Sequence, residues 1–130
     1  MDKLLIVDDE QGSREALRLI FSGDYSVFSA ASADEAQMVL SLEQVDLVLL
    51  DVVMPGRSGL DLLRQIHSDH PDLPVIMVSA SAAIPSVVEA IRQGAVDFVG
   101  KPFDVENIRH MARRALETTR LHRQVAVLET

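Results

Sequence analysis

The sequence contains no cysteine and no long run of apolar residues. Without cysteine, the chain can form neither a disulfide framework nor a thiolate zinc site, and a reducing, cytoplasmic compartment is expected. The early apolar run Leu4-Leu5-Ile6-Val7 is bracketed by aspartates and is too short for a secretory signal. No segment stays apolar over the ~20 residues that a membrane-spanning helix needs. We therefore expect a cytoplasmic chain without membrane contact.

Positive charge is scarce in most of the chain. Residues 1–104 carry 17 acidic and 7 basic side chains, whereas residues 105–130 carry 3 and 5, and the net charge is −8. Nucleic-acid affinity depends largely on Lys and Arg side chains that neutralise phosphates, so we expect no direct nucleic-acid binding. The basic C-terminal segment is typical of a solvated helix face.

Strand-like and helix-like patterns alternate five times along the 130 residues. This alternation, with short links, predicts a single α/β domain with a doubly wound, five-stranded parallel sheet and helices on both faces. The two strands with polar flanks, 26–30 and 97–100, belong at the sheet edges. The predicted strands are 3–7, 26–30, 47–51, 75–78 and 97–100, and the predicted helices are 14–21, 33–42, 60–66, 85–93 and 105–130.

The most informative segment is the apolar run 47–50, which ends in Asp51 and is followed by Pro55 and Gly56. It is typical of a buried parallel strand that stops in a loop. Open parallel sheets bind ligands outside the carboxyl ends of their strands, so Asp51 is a candidate site residue. Taken alone, an Asp after a strand is more often a turn former or the cap of the next helix.

Other polar residues follow the neighbouring strands. Asp8 and Asp9 follow the first strand, Ser79 the fourth and Lys101 the fifth, so all should meet Asp51 at one edge of the sheet. Clustered carboxylates repel one another unless a cation neutralises them, and Mg²⁺ prefers oxygen ligands of this kind. Ser79 and Lys101 are suited to a phosphoryl group on a carboxylate nucleophile.

With these motifs in place, the sequence resembles the receiver domain of bacterial two-component response regulators. The resemblance implies a flavodoxin-like receiver fold and a signalling switch in which Asp51 accepts a phosphoryl group from a sensor histidine kinase. It rests on segments spread over nearly the whole chain, namely 4–10 (LLIVDDE), 51–56 (DVVMPG), Gly59, 78–80 (VSA), 94–95 (GA), 97–98 (DF) and 101–103 (KPF).

The resemblance also implies a magnesium site. Asp9 and Asp51 would bind Mg²⁺ directly, and Asp8 mostly through water. The third protein ligand would be the main-chain carbonyl of Val53.

Two further roles come from the resemblance. Lys101 would pair with the phosphoryl group, and the Lys101–Pro102 peptide bond would be cis. Ser79 and Phe98 would form the switch that reports phosphorylation. Because Phe98 has no phenolic hydroxyl, its position must be read through packing.

The last predicted helix is long. From residue 105 to 128 it would extend about 36 Å, which exceeds the span of a small domain. We therefore expect a receiver domain at 1–117 and an extended helix or linker at 118–130. The segment 104–130 is similar to those of transcription activators that couple a receiver to a ring-forming ATPase.

A homodimer is expected through the fourth helix, the fifth strand and the fifth helix. Charges of both signs beside apolar residues suit a two-fold interface in which one patch meets itself. A short coiled-coil seam would continue this interface along the last helix. The predicted face contains Ile84, Val87, Val88, Glu89, Arg92, Asp97 and Arg113, and the seam contains Leu121, Val125 and Leu128.

Several alternatives remain open from the sequence. The favoured interpretation is a phospho-switch that catalyses only its own phosphoryl transfer and dephosphorylation. Others are a stand-alone receiver or phosphorelay intermediate, a Mg²⁺-dependent phosphotransferase or phosphatase, and a flavodoxin-like ligand binder. Asp8 and Asp9 could be helix caps, and Phe98 could be simply a core residue. The methionines at 38, 54, 77 and 111 are expected in the core.

Overall fold

The computed structural model describes the backbone of residues 1–80 and 84–129 and the side chains of residues 1–80 and 87–121. Strands and helices alternate within these ranges, as predicted. The elements are β1 (Lys3–Val7), α1 (Gln11–Phe21), β2 (Ser26–Ala30), α2 (Ala33–Leu42), β3 (Leu47–Leu50), α3 (Gly59–Asp69), β4 (Val75–Ser79), α4 (Ile84–Arg92), β5 (Asp97–Gly100) and α5 (Val105–Glu129).

The five strands form one parallel sheet in the order β2-β1-β3-β4-β5. Ile6 pairs with Leu49, and Leu49 pairs with Ile76, so the three central strands run in step. β2 and β5 lie at the edges of the sheet, as their polar flanking residues predicted. The predicted doubly wound fold is confirmed.

Both faces of the sheet are buried, which explains the uninterrupted apolar strands. Alternate residues of β1 and β3 enter different cores, because successive side chains of a strand point to opposite faces. Leu5, Val7, Val48 and Leu50 pack with the apolar faces of α2, α3 and α4. The other core lies under α1 and α5 and contains Leu4, Ile6, Leu47 and Leu49 beside Leu17, Phe21, Ile108, Ala112 and Leu116.

Two predictions about the helices were wrong. α1 begins at Gln11 rather than residue 14, because its first turn is polar and exposed and so lies outside the apolar stripe. Met38 is 65% exposed and is not a core residue. Met38 lies two residues after buried Ala36, about 200° around the helix at 3.6 residues per turn.

The predicted cap of α2 is present, since the Ser32 hydroxyl accepts a hydrogen bond from the Glu35 amide.

α5 is held both by apolar packing and by ion pairs. Leu116 is its last residue in the buried core, and Leu121 is 61% exposed. The proposed division at 117/118 remains a prediction. The ion pairs of α5 join Arg109 to Asp24, Arg114 to Asp97 and Arg120 to Asp2.

In the described part of the chain, no helix combines the length and hydropathy that crossing a bilayer requires.

Candidate functional site

The candidate site lies at the carboxyl edge of the sheet. Asp8 and Asp9 follow β1, Asp51 follows β3, Ser79 ends β4 and Lys101 follows β5. Asp8, Asp9 and Asp51 each place a carboxylate oxygen so that the three atoms lie within 4.8 Å of one another. Because all strands are parallel, their ends deliver these residues to one place.

Asp8 is 2% exposed and surrounded by donors. Its Oδ1 accepts the Glu10 amide at 2.9 Å, its Oδ2 accepts Lys101 Nζ at 2.7 Å, and its carbonyl accepts Arg14 Nη1 at 2.7 Å. Burial by itself raises the pKa of Asp8, but hydrogen bonds from Lys101, the Ser13 hydroxyl and the Glu10 amide together hold it below its ordinary value. Asp8 is therefore stabilised as a carboxylate, and the N-cap position of α1 is Glu10 rather than Asp8.

Asp51 is 8% exposed and has a different environment. Its Oδ1 accepts the Val53 amide at 3.2 Å, and its Oδ2 lies 3.6 Å from Lys101 Nζ. Burial raises the pKa of Asp51, and the charges of Asp8 and Asp9 raise it further. Lys101 and the Val53 amide oppose that shift only in part, so the pKa lies above the ordinary value. The two neighbouring acids thus have pKa values displaced in opposite directions.

The backbone around Asp51 is tightly constrained. The Asp51 amide donates to the Val7 carbonyl at 2.9 Å and extends the β1–β3 ladder. The Gly59 amide donates to the Val52 carbonyl, also at 2.9 Å. A Cβ atom at Gly59 would lie 2.0 Å from the Asp51 carbonyl oxygen. Only glycine fits there without moving Asp51.

Ser79 and Lys101 are joined through the main chain. Ser79 is 1% exposed, and its carbonyl accepts the Lys101 amide at 2.9 Å. The Lys101–Pro102 peptide bond is cis. Burial lowers the pKa of Lys101, but its hydrogen bond to Asp8 and the charge of Asp51 outweigh burial and raise the pKa above its ordinary value. Lys101 is therefore a firmly charged ammonium between two acids.

Phe98 lies on β5 in register with Met77 of β4. It is partly buried and packs against the core that contains Ala90 of α4 and Ala95. The ring therefore has the packing contacts that a core residue needs. Its part in a switch remains a prediction.

The predicted dimer face stays a prediction, and one contact within it was not anticipated from the sequence. Arg114 pairs with Asp97, with 3.4 Å between Arg114 Nη2 and Asp97 Oδ2. Arg113 acts instead on Tyr25, where it opposes the burial that raises the tyrosine pKa. Adjacent helix residues differ by about 100° in direction, and this places the two arginines on different sides of α5. Val88 and Arg92 are exposed, whereas the side chains of Ile84, Val125 and Leu128 lie outside the described residues.

The acids fit a magnesium ion. All three donors are carboxylate oxygens, and the cluster contains no imidazole or thiolate. Hard oxygen ligands in small number, with space for water, are what Mg²⁺ prefers. The predicted ligation by the Val53 carbonyl remains a prediction.

Comparison with known proteins identifies the family. The family model for the response regulator receiver domain matches residues 4–113. The chain belongs to the receiver-domain family. The receiver is 40% identical over 119 residues to the C4-dicarboxylate transport transcriptional regulatory protein DctD of Rhizobium meliloti, covering 91% of this chain and 26% of that protein. It is 38% identical to the nitrogen assimilation regulatory protein NtrX of Azorhizobium caulinodans, covering 97% of this chain and 28% of that protein.

Solved structures agree with the receiver fold. NtrX from Brucella abortus superposes with a TM-score of 0.93 at 39% identity, covering 98% of this chain and 30% of that one. A CheY-like receiver domain protein from Methanospirillum hungatei superposes with a TM-score of 0.89 at 26% identity, covering 94% of this chain and 98% of that one. The receiver spans about a quarter of the length of DctD and of NtrX.

Three contacts at or beside the site were missed in the sequence. Arg14 donates to the Asp8 carbonyl. It can do so because α1 begins at Gln11, so that Arg14 lies in the first turns of the helix, close to the end of β1. Arg57 reaches α2 and α3 from the loop after Asp51. Ser13 bonds to Asp8. An earlier helix start, signalled by the polar run after Asp9, would have indicated the contacts from α1.

A cavity of about 450 Å³ lies at the opposite end of the sheet, lined by Leu40, Glu43, Asp46, His70 and Leu73 among others. Asp46 immediately precedes β3, and Leu73 lies just before β4, so this cavity is at the amino ends of the strands. It does not include the acids. It therefore gives no support to an enclosed small-substrate site at Asp51.

Proposed function

We propose that Asp51 accepts a phosphoryl group from a sensor histidine kinase or a small phosphodonor, and that the chain relays this event as a change of surface. One observation supports the proposal most strongly. A buried carboxylate lies 3.6 Å from the Lys101 ammonium and shares a cluster with two further acids. A structural core has no need of this arrangement, whereas phosphoryl transfer needs a nucleophile, a cation and a metal site together.

In the proposed step, an Asp51 carboxylate oxygen attacks phosphorus, and the bond from phosphorus to the donor breaks. The donor is a phosphohistidine nitrogen or an acyl oxygen, and it leaves with its electron pair. Lys101 is already charged and near Asp51, so it can pair with the new phosphoryl oxygens. Magnesium, held by Asp9, Asp51 and the Val53 carbonyl with Asp8 acting through water, would neutralise charge on the phosphoryl group.

Ser79 and Phe98 would relay the phosphorylated state. The Ser79 hydroxyl would move toward a phosphoryl oxygen, and the Phe98 ring would move inward after it. Ser79 pairs with Gly100 of β5, and Phe98 of β5 packs against the core that contains Ala90 of α4, so the surface formed by α4 and β5 would change. The change would act through contacts with a partner rather than through turnover of a substrate, and we propose no enzymatic activity beyond phosphoryl transfer and dephosphorylation at Asp51.

The relatives suggest the wider role. DctD is named as a transcriptional regulatory protein, and this chain matches only 26% of its length. We propose that residues 118–130 connect the receiver to an output domain that binds DNA, in a cytoplasmic protein that forms a homodimer. Direct contact of the receiver with nucleic acid is not proposed, since the net charge of this chain is −8.

Intact-mass measurement tests the acceptor directly. The chain is incubated with acetyl phosphate, with Mg²⁺ or with EDTA, and one added phosphoryl group is expected only with Mg²⁺. Asp51→Asn should gain none. Asp34→Asn is the matched control, because Asp34 is an exposed aspartate in the first turn of α2.

The same measurement separates the alternatives. A stable adduct on Asp51→Asn at the wild-type yield would overturn the proposal. A phosphatase or phosphotransferase would instead release many phosphates per chain from a small substrate, which is measured by following phosphate over time. A flavodoxin-like binder would gain no mass in any condition.

A further inference from the structure

The loop between Asp51 and α3 is anchored unevenly. At its start, Met54 is 6% exposed and packs in the core, and the Val52 carbonyl accepts the Gly59 amide. Pro55 and Gly56 then project into solvent, with Gly56 at a φ of 76°. The outer part of this loop therefore has no apolar anchor of its own.

Arg57 supplies a polar anchor at the end of this exposed part. Its Nη1 donates to Gln37 Oε1 of α2 at 2.9 Å, and its Nη2 donates to Gln65 Oε1 of α3. The guanidinium fork can hold two acceptors at fixed relative positions, which an ammonium group does less well. One side chain thus joins the loop to two helices.

The geometry points to Arg57 as a positioning residue for the magnesium and phosphoryl site, acting through the backbone of the loop that carries Val53. The inference rests on the proposed function. Val53 lies between Asp51 and Arg57, and its amide holds Asp51 Oδ1 at 3.2 Å. Val53 itself is 64% exposed, and the buried residues Val52 and Met54 hold its backbone on either side. Arg57 adds an anchor on the far side of Pro55 and Gly56, where the loop has no buried residue.

The two hydrogen bonds of Arg57 to Gln37 and Gln65, here called the Arg57 clamp, have a consequence for Mg²⁺ affinity. Ligand binding is weakened when the binding-competent conformation is only partly populated, by the factor of that population. If Arg57 restricts the loop, removing it lowers the fraction of chains with the Val53 carbonyl and Asp51 in place. Outer-shell partners of metal ligands typically affect affinity by about 10–100-fold, and a more distant clamp should have a smaller effect.

Magnesium affinity is the measured quantity. It is followed by isothermal titration of metal-free protein with MgCl₂, and by the rise in Tm with added MgCl₂. Arg57→Ala should weaken Mg²⁺ binding roughly threefold to tenfold. Gln37→Ala and Gln65→Ala should each give part of this loss, and adding either to Arg57→Ala should cost little more, because the partner is already gone.

Arg64→Ala is the matched control. Arg64 is an exposed arginine on α3 that bonds to Asp61 of its own helix and not to the loop. It should leave Mg²⁺ affinity unchanged. Arg57→Lys should restore only part of the affinity, which distinguishes the two-acceptor fork from charge alone. The metal-free Tm of both Ala variants should stay close to wild type, so that loss of affinity is not loss of fold.

Two results would overturn the inference, and they are distinguishable. Equal Mg²⁺ affinity in wild type, Arg57→Ala and Arg64→Ala would remove the clamp while leaving the proposed function intact. Failure of wild-type protein to bind Mg²⁺ would remove the proposed metal site and the clamp with it.

Discussion

Lys101 donates its short hydrogen bond to Asp8, at 2.7 Å, and lies 3.6 Å from the carboxylate of Asp51. Asp51, the candidate acceptor, therefore lies farther from Lys101 than Asp8 does. Among the described residues, Lys101 is the one cation in ion-pair contact with these acids. Asp8 also has donors from the main chain and from α1, so its ionised form is stabilised. Asp51 has one amide donor and two acidic neighbours. The site holds Asp51 as a carboxylate that gains from any added positive charge.

Asp51→Asn should stabilise the metal-free protein at neutral pH. Burial and two acids raise the pKa of Asp51, so its destabilising effect develops as the pH rises above the ordinary value of 3.8 and is complete above the folded-state pKa. The amide removes that charge at nearly constant shape. We expect a gain of about 1 kcal/mol, or roughly 3–6 °C in Tm, measured in EDTA.

Asp8→Asn should have the opposite effect on stability at neutral pH. Because the pKa of Asp8 lies below its ordinary value, the ionised group contributes stability above that value, and the contribution is lost as the pH falls through the folded-state pKa. The variant should lower the Tm at pH 7 and should differ little from wild type in strong acid. A lower Tm for Asp51→Asn than for Asp8→Asn would contradict both assignments.

Lys101→Met should destabilise the chain at neutral pH. The substitution leaves Asp8 and Asp51, two buried acids, without their cation, and an uncompensated buried charge is costly. Because part of the Lys101 side chain is solvated, we expect a loss of about 2 kcal/mol, measured by urea unfolding at pH 7. The loss should shrink as the pH falls, because the two acids take up protons more readily when Lys101 is absent. Adding Asp51→Asn to the same chain should recover part of it.

Gly59→Ala should damage the site through the backbone. The new Cβ would lie 2.0 Å from the Asp51 carbonyl oxygen, so Asp51 or the start of α3 must move. We expect a loss of about 2–3 kcal/mol and a slower gain of phosphoryl mass. Gly12→Ala is the control, because nothing lies within 4 Å of a Cβ at that helical position. It should stabilise by about 0.5–1 kcal/mol.

Ser79→Ala tests the predicted switch. The acceptor and the metal donors are untouched, so the variant should still gain one phosphoryl mass. Amide exchange over residues 84–103, compared with and without phosphorylation, should respond in wild type and much less in Ser79→Ala. Ser79→Thr keeps the hydroxyl and should retain the response. The same change of exchange in wild type and Ser79→Ala would count against the coupling.

The convergence of Asp8, Asp9, Asp51 and Lys101 could be predicted because parallel strands end at the same edge, and an apolar run ending in an acid marks that edge in the sequence. The fold followed from the same alternation of strands and helices. Neither depends on exact helix boundaries. A shift of three residues at the start of α1 left the sheet prediction intact.

Contacts made by long side chains between elements could not be predicted. The pairing of Arg114 with Asp97 depends on how α5 is rotated about its axis, and that rotation is set by Ile108, Ala112 and Leu116 in the core. Arg57 reaches Gln37 and Gln65, which are far apart in sequence, and neither glutamine carries a pattern of its own. Such pairs are fixed by packing in three dimensions.

The final prediction concerns the homodimer. Val88, Ile91 and Val96 are each about half exposed on α4 and the segment before β5, and Leu121 is 61% exposed on α5. A helix that extends beyond its domain has no core of its own in which to bury leucines, and the same helix of a second copy can supply one. We therefore expect sedimentation over a concentration series to show dimers at high micromolar concentration.

Leu121→Glu with Val125→Glu should weaken the dimer at least about tenfold, since each apolar side chain contributes roughly 1.5–3 kcal/mol when buried. Leu42→Glu is the control, because Leu42 is 75% exposed on α2, away from this face, and should leave the dimer intact. A monomer throughout the series, unchanged by the paired glutamates, would remove the dimer proposal.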